Sequence, residues 1–106
     1  LLVVAFGTMA RICKTAIDEV KEEGLKVALF RPITISPYPY EALREAMDAL
    51  PEGGKVFDVE MSMGQMLDDV RLAGEGTREI VFHGTAGGVV PSPDEVAAKI
   101  REILQP

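Results

Sequence analysis

A chain of 106 residues with 47% hydrophobic residues and a formal net charge of −6 is long enough to fold as one domain around its own core. The acidic balance, with no clustered Lys/Arg stripe, argues against sequence-independent nucleic-acid binding, which depends on cations that displace phosphate counterions. The single cysteine, Cys13, excludes an internal disulfide and any metal or cluster site built from this chain's cysteines alone, and it fits a reduced, cytoplasmic setting.

Leu1 to Phe6 is continuously apolar and is followed by Gly7-Thr8, the pattern of a strand buried on both faces that ends in a tight turn. This run is the longest apolar stretch and falls far short of the roughly 20 residues needed to span a bilayer, so no membrane partner is expected. A chain that opens inside such a strand reads as one domain, residues 1–106, of a longer polypeptide. Ile12, Ala16, Ile17 and Val20 then form one stripe at helical spacing, with Gly24 as a C-terminal stop. Lys26 to Phe30 is the second predicted strand. The three prolines between Arg31 and Pro39 remove donors and fix φ, which predicts an extended loop.

Leu43, Ala46, Met47 and Leu50 repeat the helical stripe, closed by Pro51 and Gly53-Gly54. Lys55 to Met61 is the third strand, and Met63, Met66, Leu67 and Val70 mark the third helix. Glu79 to His83 is the fourth strand, followed by a glycine-rich loop, Gly84 to Gly88. Ser92-Pro93-Asp94-Glu95 opens the last helix as a capping box, and Val96, Ile100, Ile103 and Leu104 form its buried face. Strands alternating with helices through short turns specify an α/β domain: three layers, α/β/α, around a mainly parallel sheet.

Gly7, Thr8 and Arg11 sit where a parallel strand hands over to a helix, so backbone amides with Thr8 and Arg11 could hold a phosphate or carboxylate. The plainer alternative is a tight turn in which Thr8 caps the helix and Arg11 faces solvent or a partner. Asp58 and Glu60, two apart on a strand, share a face; this allows paired-carboxylate chemistry, or hydrogen bonds and salt bridges to the next turn. His83 reads as a proton carrier or as a histidine satisfied by loop backbone. Cys13 reads as an activated thiol or as a small packing residue. Tyr38, in a stiff Pro-rich loop, suits a subunit contact or a loop folded over the domain's own core, and Met61 and Met63, flanking a turn, offer adaptable apolar surface for an interface.

Three motifs together carry a resemblance: Gly-Thr-Met-Ala-Arg from Gly7, Arg31-Pro32-Ile33-Thr34-Ile35-Ser36-Pro37-Tyr38-Pro39, and Val59-Glu60-Met61-Ser62-Met63-Gly64-Gln65-Met66 followed by Asp69-Val70-Arg71. In order and spacing the chain resembles the C-terminal domain of the alpha subunit of 2-oxoacid:ferredoxin oxidoreductases, a domain similar in fold to the C-terminal domain of transketolase. Ser62 departs from the family pattern, which has asparagine there.

The resemblance implies a parent enzyme that oxidatively decarboxylates a 2-oxoacid on thiamine diphosphate and magnesium, passes electrons through an iron–sulfur cluster to ferredoxin, and gives the acyl group to coenzyme A. It implies no catalytic residue, metal or cofactor in this domain. The domain's expected role is structural, in contact with other domains and with the beta subunit; gamma and delta subunits are further candidate partners. Gly7, Thr8, Arg11, Glu60, Ser62, Gly64 and Gln65 are the candidate anion or interface contacts. The alternative is a free-standing module that binds a small anionic ligand, a nucleotide or acyl-coenzyme A.

Overall fold

The computed structural model describes residues 1–31, 39–51, 53–60, 67–74, 78–84 and 91–104. Its elements run β1 (Leu2–Ala5), α1 (Thr8–Glu22), β2 (Ala28–Phe30), α2 (Tyr40–Asp48), β3 (Val56–Glu60), α3 (Leu67–Gly74), β4 (Ile80–Gly84) and α4 (Pro93–Leu104). The strands form one four-stranded sheet in the order β2-β1-β3-β4, and every adjacent pair is parallel. Helices α1 and α4 pack together on one face, α2 and α3 on the other. The expected α/β/α layering is present.

The sheet separates two apolar clusters because side chains alternate along each strand. From β1, Val3 and Ala5 join the α1–α4 side with Met9, Cys13, Val20, Val96 and Ile100. Leu2 and Val4 join the α2–α3 side with Leu43, Met47 and Val70. In β3, Phe57 and Val59 point to the first cluster and Val56 to the second. A strand covered on both faces has no solvent side, which is why Leu2 to Ala5 reads as an unbroken apolar run; Phe6, expected in the same strand, lies beyond it and is 40% exposed.

Strand limits differ slightly from the sequence expectation. β2 begins at Ala28, opposite Leu2, rather than at Lys26, because the ladder with β1 starts there. β4 is displaced by one residue and includes Gly84, which pairs with Glu60.

The helix ends follow their local chemistry. Gly24 has φ 87°, donates its N–H to Lys21 at 3.0 Å, and allows Leu25 N–H to reach Val20 at 3.3 Å, so α1 closes in a Schellman turn. At the start of α4 the Ser92 Oγ accepts the Glu95 N–H at 3.2 Å, the expected capping contact, with Pro93 as the first helical residue. The end of α2 is held from outside: Arg78 Nε donates to the Met47 carbonyl at 3.2 Å, and Arg78 Nη2 to that of Leu50 at 3.0 Å. Across the outer surface of the other layer, Arg101 Nε of α4 donates to Glu23 Oε1 at 3.0 Å, and Arg101 Nη2 pairs with Glu19 at 3.3 Å.

Candidate site at the carboxyl edge of the sheet

In this strand order the chain leaves β1 toward β2 on one side and later returns past β1 to β3 on the other. The helices that follow β1 and β3 therefore lie on opposite faces, α1 with α4 and α3 with α2. The crevice between the carboxyl ends of β1 and β3 is the switch point at which open α/β sheets receive ligands or partners. Gly7, Thr8 and Glu60 all stand at these two strand ends, and Arg11 lies one turn into α1.

Gly7 makes the β1-to-α1 turn possible. Its φ of 61° and ψ of −133° place it in a region that residues with a Cβ avoid, and it occupies the N-cap position of α1 with no side-chain cap. Thr8 is thus the first helical residue, not the cap, which corrects the plainer sequence reading. Thr8 and Arg11 are exposed, and Arg11 makes no ion pair or side-chain hydrogen bond among the described residues.

Asp58 and Glu60 do share a face, the one covered by α2 and α3. Asp58 is 0% exposed and Glu60 5%. Across the ladder Asp58 lies between Val4 of β1 and Phe82 of β4. Neither Asp58 carboxyl oxygen is in hydrogen-bonding geometry with a partner among the described residues. Burial, reinforced by the neighbouring Glu60 carboxyl, pushes the Asp58 carboxyl up to about 9, so it is a neutral acid at neutral pH. The expectation of a salt bridge for Asp58 is not met among the described residues. The sequence signals for Asp58 are its place inside a strand and its spacing of two from Glu60.

The other candidates fall outside this arrangement or beyond it. His83 is half-buried beside Val59 and sits tilted at 57° to the Phe57 ring, 6.4 Å away, on the α1–α4 side of the sheet rather than with the two carboxyls. Cys13 is fully buried in the α1–α4 core, where desolvation pushes its thiol up to about 12. It is a packing residue. Ser62, Gly64 and Gln65, together with Tyr38, Met61 and Met63, lie outside the described residues.

Among the described residues the side chains do not fit an iron–sulfur cluster or a metal ion. An iron–sulfur cluster requires several cysteine thiolates, and this chain has one cysteine, buried and protonated. Among the described residues no group of three His, Cys, Asp or Glu side chains is placed to hold a metal ion. None of their helices is long and apolar enough to cross a membrane.

Over 104 residues the chain is 41% identical to the ketoisovalerate oxidoreductase subunit VorB of Methanothermobacter marburgensis, covering 97% of this chain and 28% of that protein. It is 30% identical over 100 residues to the 2-oxoglutarate synthase subunit KorA of the same organism, covering 94% of this chain and 26% of the relative. The chain thus spans little more than a quarter of the relatives it matches. Among solved structures, an inactive β4 tetramer of a split-gene transketolase superposes with a TM-score of 0.77 at 19% identity, over 97% of this chain and 37% of that one, a likeness of fold. Residues 1–96 match the family described as pyruvate:ferredoxin oxidoreductase core domain II, and the chain belongs to that family.

Proposed function

We propose that this domain serves assembly rather than chemistry within the alpha subunit of a 2-oxoacid:ferredoxin oxidoreductase. The parent enzyme would convert a 2-oxoacid, coenzyme A and oxidised ferredoxin to acyl-coenzyme A, carbon dioxide and reduced ferredoxin. Thiamine diphosphate, magnesium and the iron–sulfur cluster would be held by other domains and subunits. The observation that carries this reading is the family match over residues 1–96 in a chain that spans 28% of its VorB relative. Gly7, Thr8, Arg11 and Glu60, at the switch-point crevice, are the proposed contacts toward the remainder of the enzyme, joined by Ser62, Gly64 and Gln65 on sequence grounds.

The test is reconstitution of the full-length subunit with its co-encoded subunits, followed by an assay of 2-oxoacid-dependent and coenzyme A-dependent ferredoxin reduction. Ketoisovalerate and 2-oxoglutarate are the first substrates to try. Activity is expected with at least one 2-oxoacid; a correctly assembled complex inert toward the whole class would refute the reading. The opposing view, a free-standing anion-binding module, draws on the uncapped start of α1 and the exposed Arg11. It predicts that this chain gains thermal stability as nucleotide or acyl-coenzyme A is titrated in, whereas an assembly domain shows no such gain.

A further inference from the structure

The two outer helical surfaces are finished differently. On the α1–α4 layer, Arg101 ties the helices together through Glu19 and Glu23. On the α2–α3 layer a cleft of about 680 Å³ opens between the helices, lined by Tyr40, Glu41, Arg44, Glu45, Leu72 and Ala73. Three large apolar side chains are exposed among the described residues, and two of them, Leu72 at 63% and Tyr40 at 39%, line this one cleft. Exposed apolar side chains gathered around a cavity, with charges at the rim, are the anatomy of a docking site.

The rim is acidic. Arg44 is already engaged, its Nε with Asp48 at 3.1 Å and its Nη1 with the Ala73 carbonyl at 3.4 Å. Glu41 and Glu45 are exposed on the same side of α2, so the charge offered outward is negative. An occupant that complements this surface carries an apolar side chain for the cleft and lysines or arginines for the rim.

We infer that the α2–α3 cleft is the seat of a basic segment, bearing an apolar anchor, from another domain of the same subunit polypeptide. The relatives place this domain in polypeptides several times its length, of which it spans 28% in VorB and 26% in KorA. A polypeptide of that length supplies the segment at high effective concentration. The inference rests on the assembly reading above and deepens it by adding a contact surface on the helical layer, apart from the carboxyl edge.

Two measurements on the full-length subunit in its complex test it. Hydroxyl-radical footprinting is expected to find Leu72 and Tyr40 protected, and the double variant Glu41→Lys/Glu45→Lys is expected to lose that protection. Carbodiimide cross-linking of the unmodified complex is expected to join Glu41 or Glu45 to a lysine elsewhere on the same polypeptide. Free labelling of Leu72 and Tyr40 in the intact complex overturns the inference, as do cross-links that lead only to another subunit or a second copy. An assay of ferredoxin reduction on the same preparation separates the two ideas. Cross-links without activity support the docking surface and refute the oxidoreductase reading, whereas activity with a freely labelled cleft refutes the docking surface alone.

Discussion

Asp58 and Glu60 project from β3 to the same face of the sheet, and both carboxyls are buried beneath the α2–α3 layer. Two acids in that position cannot both ionise at low cost, because each loses its hydration and repels the other. Burial, with the neighbouring Glu60 carboxyl, raises the Asp58 carboxyl so that it holds its proton at neutral pH.

The consequence is a stability that falls with rising pH. A carboxyl raised from an ordinary 3.8 to about 9 in the folded chain favours folding fully below its ordinary value, and this contribution is lost as pH rises through the folded value. Chemical denaturation of this chain between pH 5 and pH 9 is expected to show a steady decline in unfolding free energy. Asp58→Asn, which cannot ionise, is expected to flatten the profile and to exceed the parent at the alkaline end. A parent profile that is already flat would show that Asp58 is ionised in the fold.

How far this was legible in the sequence depends on what each feature requires. The apolar run of β1, the Gly24 stop and the Ser92 cap are local signals, and each sits where the pattern put it, save that the strand ends at Ala5 and leaves Phe6 exposed. The shared face of Asp58 and Glu60 also follows from a period of two. Their burial does not, because it depends on α2 and α3 closing over that face, a tertiary event with no local code. Strand ends shifted for a related reason: Ala28, not Lys26, is the first residue of β2 with a partner in β1. Leu72 stands off the stripe formed by Leu67 and Val70, and only the packed structure shows that it meets Tyr40 across a cleft.

Arg78 closes the α2 helix from a distance of about thirty residues in sequence, giving two charge-assisted hydrogen bonds to the carbonyls of Met47 and Leu50. The Met47 carbonyl also accepts the Leu50 N–H at 3.1 Å, so truncation removes its second donor and takes from the Leu50 carbonyl the one it receives from Arg78. Arg78→Ala is expected to destabilise the domain by about 1–2 kcal/mol. Arg78→Lys recovers only part of this, since an ammonium lacks the two-pronged donor geometry. Thermal melts of the three proteins give the order directly, and equal melting temperatures for parent and Arg78→Ala would exclude the capping role.

Cys13 lies in the α1–α4 core with its thiol pushed up to about 12, so almost no thiolate exists near neutral pH. Iodoacetamide is expected to leave the folded chain unmodified and to label it after denaturation. Cys13→Ser places a polar hydroxyl in the same apolar cluster, at a cost of about 1–3 kcal/mol. Rapid alkylation of the native chain at neutral pH would show that the thiol is reachable and ionised.

Gly7 separates space from strain as the reason for a glycine. A Cβ built there meets nothing within 4 Å, so an alanine has room. Yet φ of 61° with ψ of −133° is a conformation that L side chains rarely adopt. Gly7→Ala is therefore expected to cost about 1–3 kcal/mol through the backbone alone. The turn links the end of β1 to the first amides of α1, so relief of that strain would re-aim Thr8 and Arg11 at the switch-point crevice. In the assembled enzyme the variant should weaken subunit association more than its stability loss accounts for, if the crevice is a contact surface. Association that declines only in step with stability, measured by analytical ultracentrifugation against a stability-matched Arg78→Ala control, would confine Gly7 to a folding role.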